Sequence, residues 1–307
     1  FSYVNGNAMA LDDLSPDIEL KYLFYYLTYR GMKDVITGSA QPQIVRQSLN
    51  NVKITYPLLE EQRKIAETLD KVSGLIAKRK QQLEKLDLFV KAKFVEMFGG
   101  PIQNTHNLPV TKLKDVSLLI TNGNTPNGGG KNYIDNGIVF LRSQNVWKNK
   151  ILLDDVAYIS EELNRKMSKS IVNKYDILLT KTGRVNTENS SLGRAALYLG
   201  EDGTANINGH VYLIRLNQNY VMPDFIINIL TSDFYREYIR KICVGGIDKR
   251  QINLEHVENF IIILPPIELQ NKFVDFAQQT EKSKILINHS LEKLETLKKA
   301  LMQEYFG

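Results

Sequence analysis

Two stretches of the chain carry apolar residues at alternating spacings of four and three. Positions 65, 69, 72, 76, 79, 83, 86, 90, 93 and 97 hold Ile, Leu, Val, Ile, Arg, Leu, Leu, Val, Lys and Met. Positions 273, 277, 280, 284, 287, 291, 294, 298, 301 and 305 hold Phe, Ala, Thr, Lys, Ile, Leu, Leu, Lys, Leu and Tyr. That spacing gathers the residues into one stripe of a helix and is the a/d pattern of a coiled coil. Neither stripe is apolar throughout. Arg79 and Lys93 interrupt the first where the second has Ile287 and Leu301, and Thr280 and Lys284 interrupt the second where the first has Val72 and Ile76. An apolar partner face would help both, so the pattern predicts that the helices pair. Ile65, Leu69, Val72, Ile76, Leu83 and Leu86 are the pairing positions of one, and Ile287, Leu291, Leu294 and Leu301 those of the other. At 1.5 Å per residue a helix of about 38 residues rises nearly 60 Å, which suits a spacer. Two separate amphipathic helices, each packed on its own domain, are the alternative.

The stripes belong to a long internal repeat. At an offset of 208, thirteen of the 43 paired positions in 57–99 and 265–307 are identical, too many for two unrelated helices. They include Pro57 with Pro265, Glu60 with Glu268, Gln62 with Gln270 and Lys64 with Lys272. Further back, "GSAQPQI" (38–44) lies over "GIDKRQI" (246–252). With small shifts, Pro16-Asp17 lies over Pro223-Asp224 and "NGNAMAL" (5–11) over "NGHVYLI" (208–214). A period near 200 is too long for a solenoid and reads as a tandem duplication of a domain plus a helix. The repeat begins before Phe1, so the first unit is expected as its C-terminal part.

Between the helices the pattern changes. "GIVFLR" (137–142), "YDILLT" (175–180), "AALYL" (195–199), "HVYLIRL" (210–216) and "ENFIIIL" (258–264) are short β-type runs, separated by Gly, Asn, Asp and Lys clusters that make turns. "DFIINILTSDFYREYIRKI" (224–242) predicts a helix opening after Pro223. The expected fold class is α+β, sheet-rich, feeding into the long helices.

Composition narrows the chemistry. A net charge of +5 and a pI near 9.0 favour a polyanionic partner. One cysteine, Cys243, precludes a disulfide within the chain and fits a reducing, cytoplasmic setting. No apolar run is long enough to predict a membrane span. "GNTPNGGGKNY" (123–133) fails as a phosphate loop because Gly130-Lys131 is followed by Asn132 rather than Ser or Thr, so a surface loop is expected. His106, His210, His256 and His289 have no metal-ligand spacing, and no catalytic constellation is legible.

Polar residues in turns remain. Ser143, Gln144 and Asn145 follow a strand; Lys181, Thr182, Arg184 and Arg194 sit in the loop "TKTGRVNTENSSLGR" (180–194); Asn206, Asn208 and His210 belong to "NINGH"; Lys249 and Arg250 lie in "GGIDKRQI". Asn and Gln can pair with adenine edges and Arg with guanine, while Lys, Ser and Thr hold phosphates. These are the candidate DNA-binding residues.

Together the motifs resemble the specificity subunit of a type I restriction–modification system. They are "GSAQPQI" before a strand, "P-x-x-E-x-Q-x-K-I" opening a long helix that ends "FG", and, between the helices, "LKDVSLLITNGNTP", "IVFLRSQNV", "YDILLTKTGR" and "NINGHVYLIRL". The chain departs from the family's pattern in lacking a tryptophan ahead of "LKDV" and in reading "GGIDKRQI" in the second copy. The resemblance implies target recognition domains joined by two long antiparallel coiled-coil helices with pseudo-two-fold symmetry. Residues 1–56 would be the C-terminal part of a first recognition domain, 57–100 its spacer helix, 101–264 a second recognition domain and 265–307 the second spacer helix. It further implies that each domain binds one half of a bipartite site on double-stranded DNA and that the chain catalyses nothing. Two modification subunits, which carry S-adenosylmethionine, would methylate adenine, and restriction subunits would join for cleavage. This chain would hold no cofactor. A coiled-coil scaffold without DNA specificity, or an enzyme with an unrecognised site, are the other classes compatible with the residues.

Overall fold

A computed structural model of the chain describes residues 8–38, 41–185, 187, 189–246 and 249–307. The motifs at 5–11, 38–44, 180–194 and 246–252 each fall partly outside the described residues. In chain order the helices are α1 (Leu20–Arg30), α2 (Arg46–Asn50), α3 (Leu59–Phe98), α4 (Glu161–Lys166), α5 (Pro223–Leu230), α6 (Asp233–Ile242), α7 (Leu254–Glu258) and α8 (Ile267–Phe306). The chain divides into a first unit, Phe1–Asp87 with Glu281–Gly307, and a second, Leu88–Thr280. α3 and α8 therefore contribute a part to each.

The second unit holds two four-stranded sheets. One has the order Ala195–Leu197, Ile177–Thr180, Val211–Leu216, Ser117–Asn122 and is antiparallel throughout. The other has the order Ala157–Ile159, Ile138–Leu141, Ala205–Ile207, Ile171–Val172, with one parallel pair, 138–141 against 205–207. Alternate residues of the first sheet feed different cores. Ile177, Leu179, Ala195, Tyr212 and Ile214 meet the helices, whereas Leu178, Ala196 and Leu213 meet Leu141, Val172, Ala205 and Ile207. Burial on both faces is why "YDILLT" and "HVYLIRL" read as apolar runs rather than alternations. Arg215 crosses to Asp176, with bonds of 2.9 and 2.7 Å. Its hydrogen bond to that buried carboxylate raises its pKa against the pull of burial.

The expected helix over 224–242 is two helices. Ser232 ends the first through its Oγ bond to the Ile229 carbonyl and N-caps the second by accepting from the Tyr235 N–H.

The ends of the long helices are built alike in both units. In the second, Phe94 and Phe98 from the end of α3 pack with Phe273 from the start of α8 and with Phe225 of α5, at ring separations of 5.0 to 5.7 Å. In the first, Met302 and Phe306 from the end of α8 pack with Ile65 from the start of α3 and with Tyr22 of α1, the Phe306–Tyr22 rings 5.4 Å apart. At the offset of 208, Met302 and Phe306 correspond to Phe94 and Phe98, and Ile65 to Phe273. Each joint therefore combines the start of one long helix with the end of the other, which requires antiparallel strands of helix within each unit. Lys80 meets Glu295 at 3.1 Å and Asp87 meets Lys284 at 2.9 Å in the first unit; Phe89 meets Phe276 at 5.0 Å in the second.

All twenty stripe positions are buried or half-buried. Ile65 and Leu69 are buried where Tyr22 and Tyr25 of α1 join them, and Val72 is buried as well, while Ile76, Leu83, Leu86, Ile287, Leu291, Leu294 and Leu301 are half-buried. A stripe facing a single partner helix keeps its flanks in water.

A glutamine locks each joint. Gln62 accepts from the Glu19 N–H (3.0 Å) and donates to the carbonyls of Asp17 and Pro57 (both 2.8 Å). Gln270 accepts from the Met222 N–H (2.9 Å) and donates to the carbonyls of Tyr220 and Pro265 (3.2 and 2.9 Å). Both are fully buried. This pairing corrects the expected match of Pro16-Asp17 with Pro223-Asp224: Glu19 corresponds to Met222, and α1 and α5 each begin at the next residue. The shared Pro-Asp dipeptide is a coincidence: Pro16-Asp17 lies in the loop before α1, whereas Pro223-Asp224 opens α5 itself.

Among the described residues no helix is long and apolar enough to cross a membrane, and no group of three His, Cys, Asp or Glu side chains could hold a metal. Cys243 is buried and free.

Candidate nucleic-acid interface

In the second unit several of the candidate residues converge at one end of the antiparallel sheet. The strand 177–180 ends at Thr180, and Lys181 continues in two directions of bonding: its N–H donates to the His210 carbonyl (2.9 Å) and its carbonyl accepts from the Ile252 N–H (3.1 Å). Thr182 and Gly183 then pair with Gln251 and Arg250, the inner strand of a hairpin whose other strand is Val244–Gly245. Lys181, Thr182, Arg184, His210, Lys249 and Arg250 are thereby carried on adjoining turns. Arg184, His210 and Lys249 are exposed; Lys181, Thr182 and Arg250 are half-buried. Lys181 Nζ lies 5.8 Å from the centre of the Tyr212 ring. The Tyr212 hydroxyl donates to the Ile252 carbonyl (2.9 Å), and burial pushes its pKa up to about 12.

The turn 208–210 is held by Asn208, whose Oδ1 accepts from the His210 N–H (3.1 Å) while its own N–H donates to the Leu141 carbonyl (3.0 Å). That second bond sets the turn beginning at Arg142 alongside. Gly123 closes the group from the end of strand 117–122. A Cβ there would stand 2.1 Å from the Ile207 carbonyl oxygen and 2.4 Å from that of Asn208, so the approach of the two turns needs glycine.

Two candidates are removed by burial. Asn145 is 1 % exposed; its Oδ1 accepts from the Arg142 N–H (2.9 Å) and its Nδ2 donates to the carbonyls of Leu152 and Asp155 (3.0 and 2.7 Å). Asn206 is fully buried and bonded to Ser170, Asn164 and the Met167 carbonyl at 2.7 to 3.2 Å. Both amides are satisfied inside the fold and cannot reach a base edge. Asn145 caps a turn after strand 138–141, and Asn206 lies inside the strand 205–207 rather than in the expected turn; in sequence a buried structural amide and a base-reading amide look identical. Of their neighbours, Ser143 is half-buried and Gln144 is exposed but donates to Asp155 (2.7 Å), whose carboxylate opposes the approach of a phosphate.

Arg194 is also committed. Its Nε donates to the Ser190 carbonyl (2.9 Å), Nη2 donates to that of Asn189, and the guanidinium lies 3.9 Å from the centre of the Trp147 ring. Burial, with the nearby Arg236 charge, lowers its pKa. Trp147 was missed in the sequence, although as the single tryptophan of a polar stretch it was the available signal. The loop at 123–133 forms exposed turns, with Gly128 and Gly129 at φ +93° and +53°, and leads into a short 3₁₀ turn at Gly129–Asn132.

The second unit is a two-sheet domain with basic side chains on the turns at one sheet end, and two long helices run between it and the first unit. The model of the family described as the type I restriction modification DNA specificity domain matches residues 1–86 and 107–297, and the chain belongs to that family. The chain is 23% identical to the MjaVIII specificity subunit of Methanocaldococcus jannaschii over 295 residues, covering 92% of this chain and 68% of that protein. It is 24% identical to the StySPI specificity subunit of Salmonella potsdam over 301 residues, covering 91% and 62%. The chain thus spans about two thirds of these curated relatives. Its fold is similar to that of the HsdS subunit from Thermoanaerobacter tengcongensis (TM-score 0.50, 17% identity, 95% of this chain and 71% of that one). It is also similar to the type I restriction–modification S subunit from M. genitalium (TM-score 0.58, 14% identity, 96% and 74%).

Proposed function

We propose that this chain is the DNA sequence-specificity subunit of a type I restriction–modification complex and performs no catalysis itself. The observation that carries the reading is the convergence of Lys181, Thr182, Arg184, His210, Lys249 and Arg250 on adjoining turns of a domain whose family is defined by DNA specificity. The exposed cations supply phosphate contacts and an electrostatic on-rate, and Arg184, Arg250 and His210 supply donors for base edges. The domain binds one half of a bipartite target.

The paired helices serve as the spacer between half-sites and as the seat of two modification subunits, which bring S-adenosylmethionine for adenine methylation; restriction subunits join for cleavage. Exposed apolar residues on the helices of the first unit, Leu75 (47 %), Ile285 (61 %) and Leu286 (72 %), support a docking role, because large apolar side chains on a two-helix surface gain from being covered. The deciding experiment is co-purification of the chain with a modification subunit followed by mapping of methylated adenines. A bipartite methylated motif that disappears without this chain is expected; methylation at the same sites without it would overturn the reading. One extra helical turn inserted in both helices changes the tolerated gap in that motif, and an unchanged gap refutes the spacer role.

A further inference from the structure

The loop between Lys181 and Arg194 is closed at its neck. The Arg194 N–H donates to Thr180 Oγ1 (2.9 Å), the Thr180 N–H donates to the Arg194 carbonyl (2.8 Å), and Ser191 Oγ donates to the Thr182 carbonyl (2.7 Å). The neck strands touch closely enough that a Cβ on Gly183 would stand 2.3 Å from the Leu192 nitrogen. Beyond the neck, the guanidinium of Arg194 holds the returning limb by its bonds to the carbonyls of Asn189 and Ser190, and rests its flat face on Trp147. Trp147 is itself fixed. It lies in the hairpin of Val146–Trp147 with Lys150–Ile151, and the Asn149 N–H of that hairpin donates to the Ala195 carbonyl (2.8 Å), one residue beyond Arg194.

We propose that Arg194 and Trp147 are positioning residues that hold the loop in the orientation presenting Lys181, Thr182 and Arg184 to DNA, and that Arg194 itself holds no phosphate. The proposal rests on the DNA-reading function above. Only a planar guanidinium can donate in its plane to two successive carbonyls while an indole covers its face. An ammonium keeps the charge and loses that geometry. Arg194→Lys therefore separates the two roles open to this arginine. A phosphate contact survives the change in large part, whereas a positioning clamp does not.

The test uses the full chain. Because Trp147 is the sole tryptophan, its emission reports this site alone. Arg194→Lys and Arg194→Ala should both shift that emission to the red in the absence of DNA, and both should speed tryptic cleavage after the exposed Arg184 several-fold. Trp147→Phe, which keeps an aromatic face, should retain most of the protection and Trp147→Leu little of it. On duplexes with and without the methylated target, both Arg194 variants should lose discrimination several-fold and should change the slope of log K against log salt to the same extent, Lys no less than Ala. A removed phosphate contact would lower that slope by about 0.9. Unchanged emission and cleavage would overturn the clamp. A released loop with intact discrimination would overturn its role in reading, as would a lowered slope with Lys rescuing binding. Failure of the parent reading is recognised separately, in a wild-type chain that shows no preference between the duplexes.

Discussion

The two helix joints are the same device made from different side chains. Gln62 and Gln270 bind equivalent backbone groups, and Phe306 stands where Phe98 stands. The joint of the second unit is nonetheless a dry core: Phe98, Phe225 and Phe273 are fully buried. The joint of the first unit is tyrosine-rich. Its Tyr25 hydroxyl donates to Asp70 (2.7 Å), Tyr29 donates to Gln303 (2.7 Å), and Phe306 is half-buried. The helices differ in the same sense. α5 packs on strand 195–197 and its Ile227 is 1 % exposed, whereas Leu20 and Phe24 on α1 are 63 % and 61 % exposed. The polar lock depends on backbone geometry and is the same in both copies, while the apolar contacts follow what each helix is packed against.

That comparison can be broken at the aromatic level first. Phe98→Ala should cost about 3–5 kcal/mol, as for a fully buried ring. Phe306→Ala should cost about 1–2 kcal/mol, since part of its ring is already in water. The losses should appear as reduced hydrogen-exchange protection of α5 and α1 respectively, and equal losses would erase the distinction between the joints. The glutamines should behave alike. Gln62→Ala and Gln270→Ala each strand one buried N–H and two carbonyls and should each cost about 1–3 kcal/mol, so a harmless change at one of them would show that the two locks are not equivalent.

The smallest effect is confined to the first unit and depends on pH. Hydrogen bonds from Lys21, and then from Tyr25, hold the Asp70 carboxyl below its usual range. A depressed folded value means the contribution is complete above the unfolded pKa, about 3.9. It is lost as pH falls through the lower folded value. Hydrogen exchange in α1 should therefore rise on acidification below about pH 4, and Asp70→Asn should flatten that rise while leaving α5 unaffected.

The long helices were legible because their stripes run on a fixed period with no competing signal. Strands 177–180 and 211–216 were legible as apolar runs. Strand 117–122 was not, since Ser117, Thr121 and Asn122 dilute its apolar content and its partner is remote in sequence. At the interface the residue types were informative and their orientation was not. Lys181, Arg184 and His210 are brought together by backbone pairing between segments remote in sequence, and Asn206 is turned inward by partners equally remote, whereas Asn145 and Arg194 are held by near neighbours whose main-chain groups carry no sign of it in the sequence. Gln62 and Gln270 were visible as identical positions of the repeat, but their common role required knowing where Asp17 and Tyr220 lie.

Duplex binding by the full chain across a salt series tests the central claim most directly, comparing the wild type with a combined Arg184→Ala, Lys249→Ala, Arg250→Ala variant. The wild type should prefer the methylated target, and the variant should lose that preference with a salt slope shallower by about 0.9 for each phosphate contact removed. Identical affinity, slope and preference in the two proteins would contradict the placement of DNA reading at this edge of the second unit.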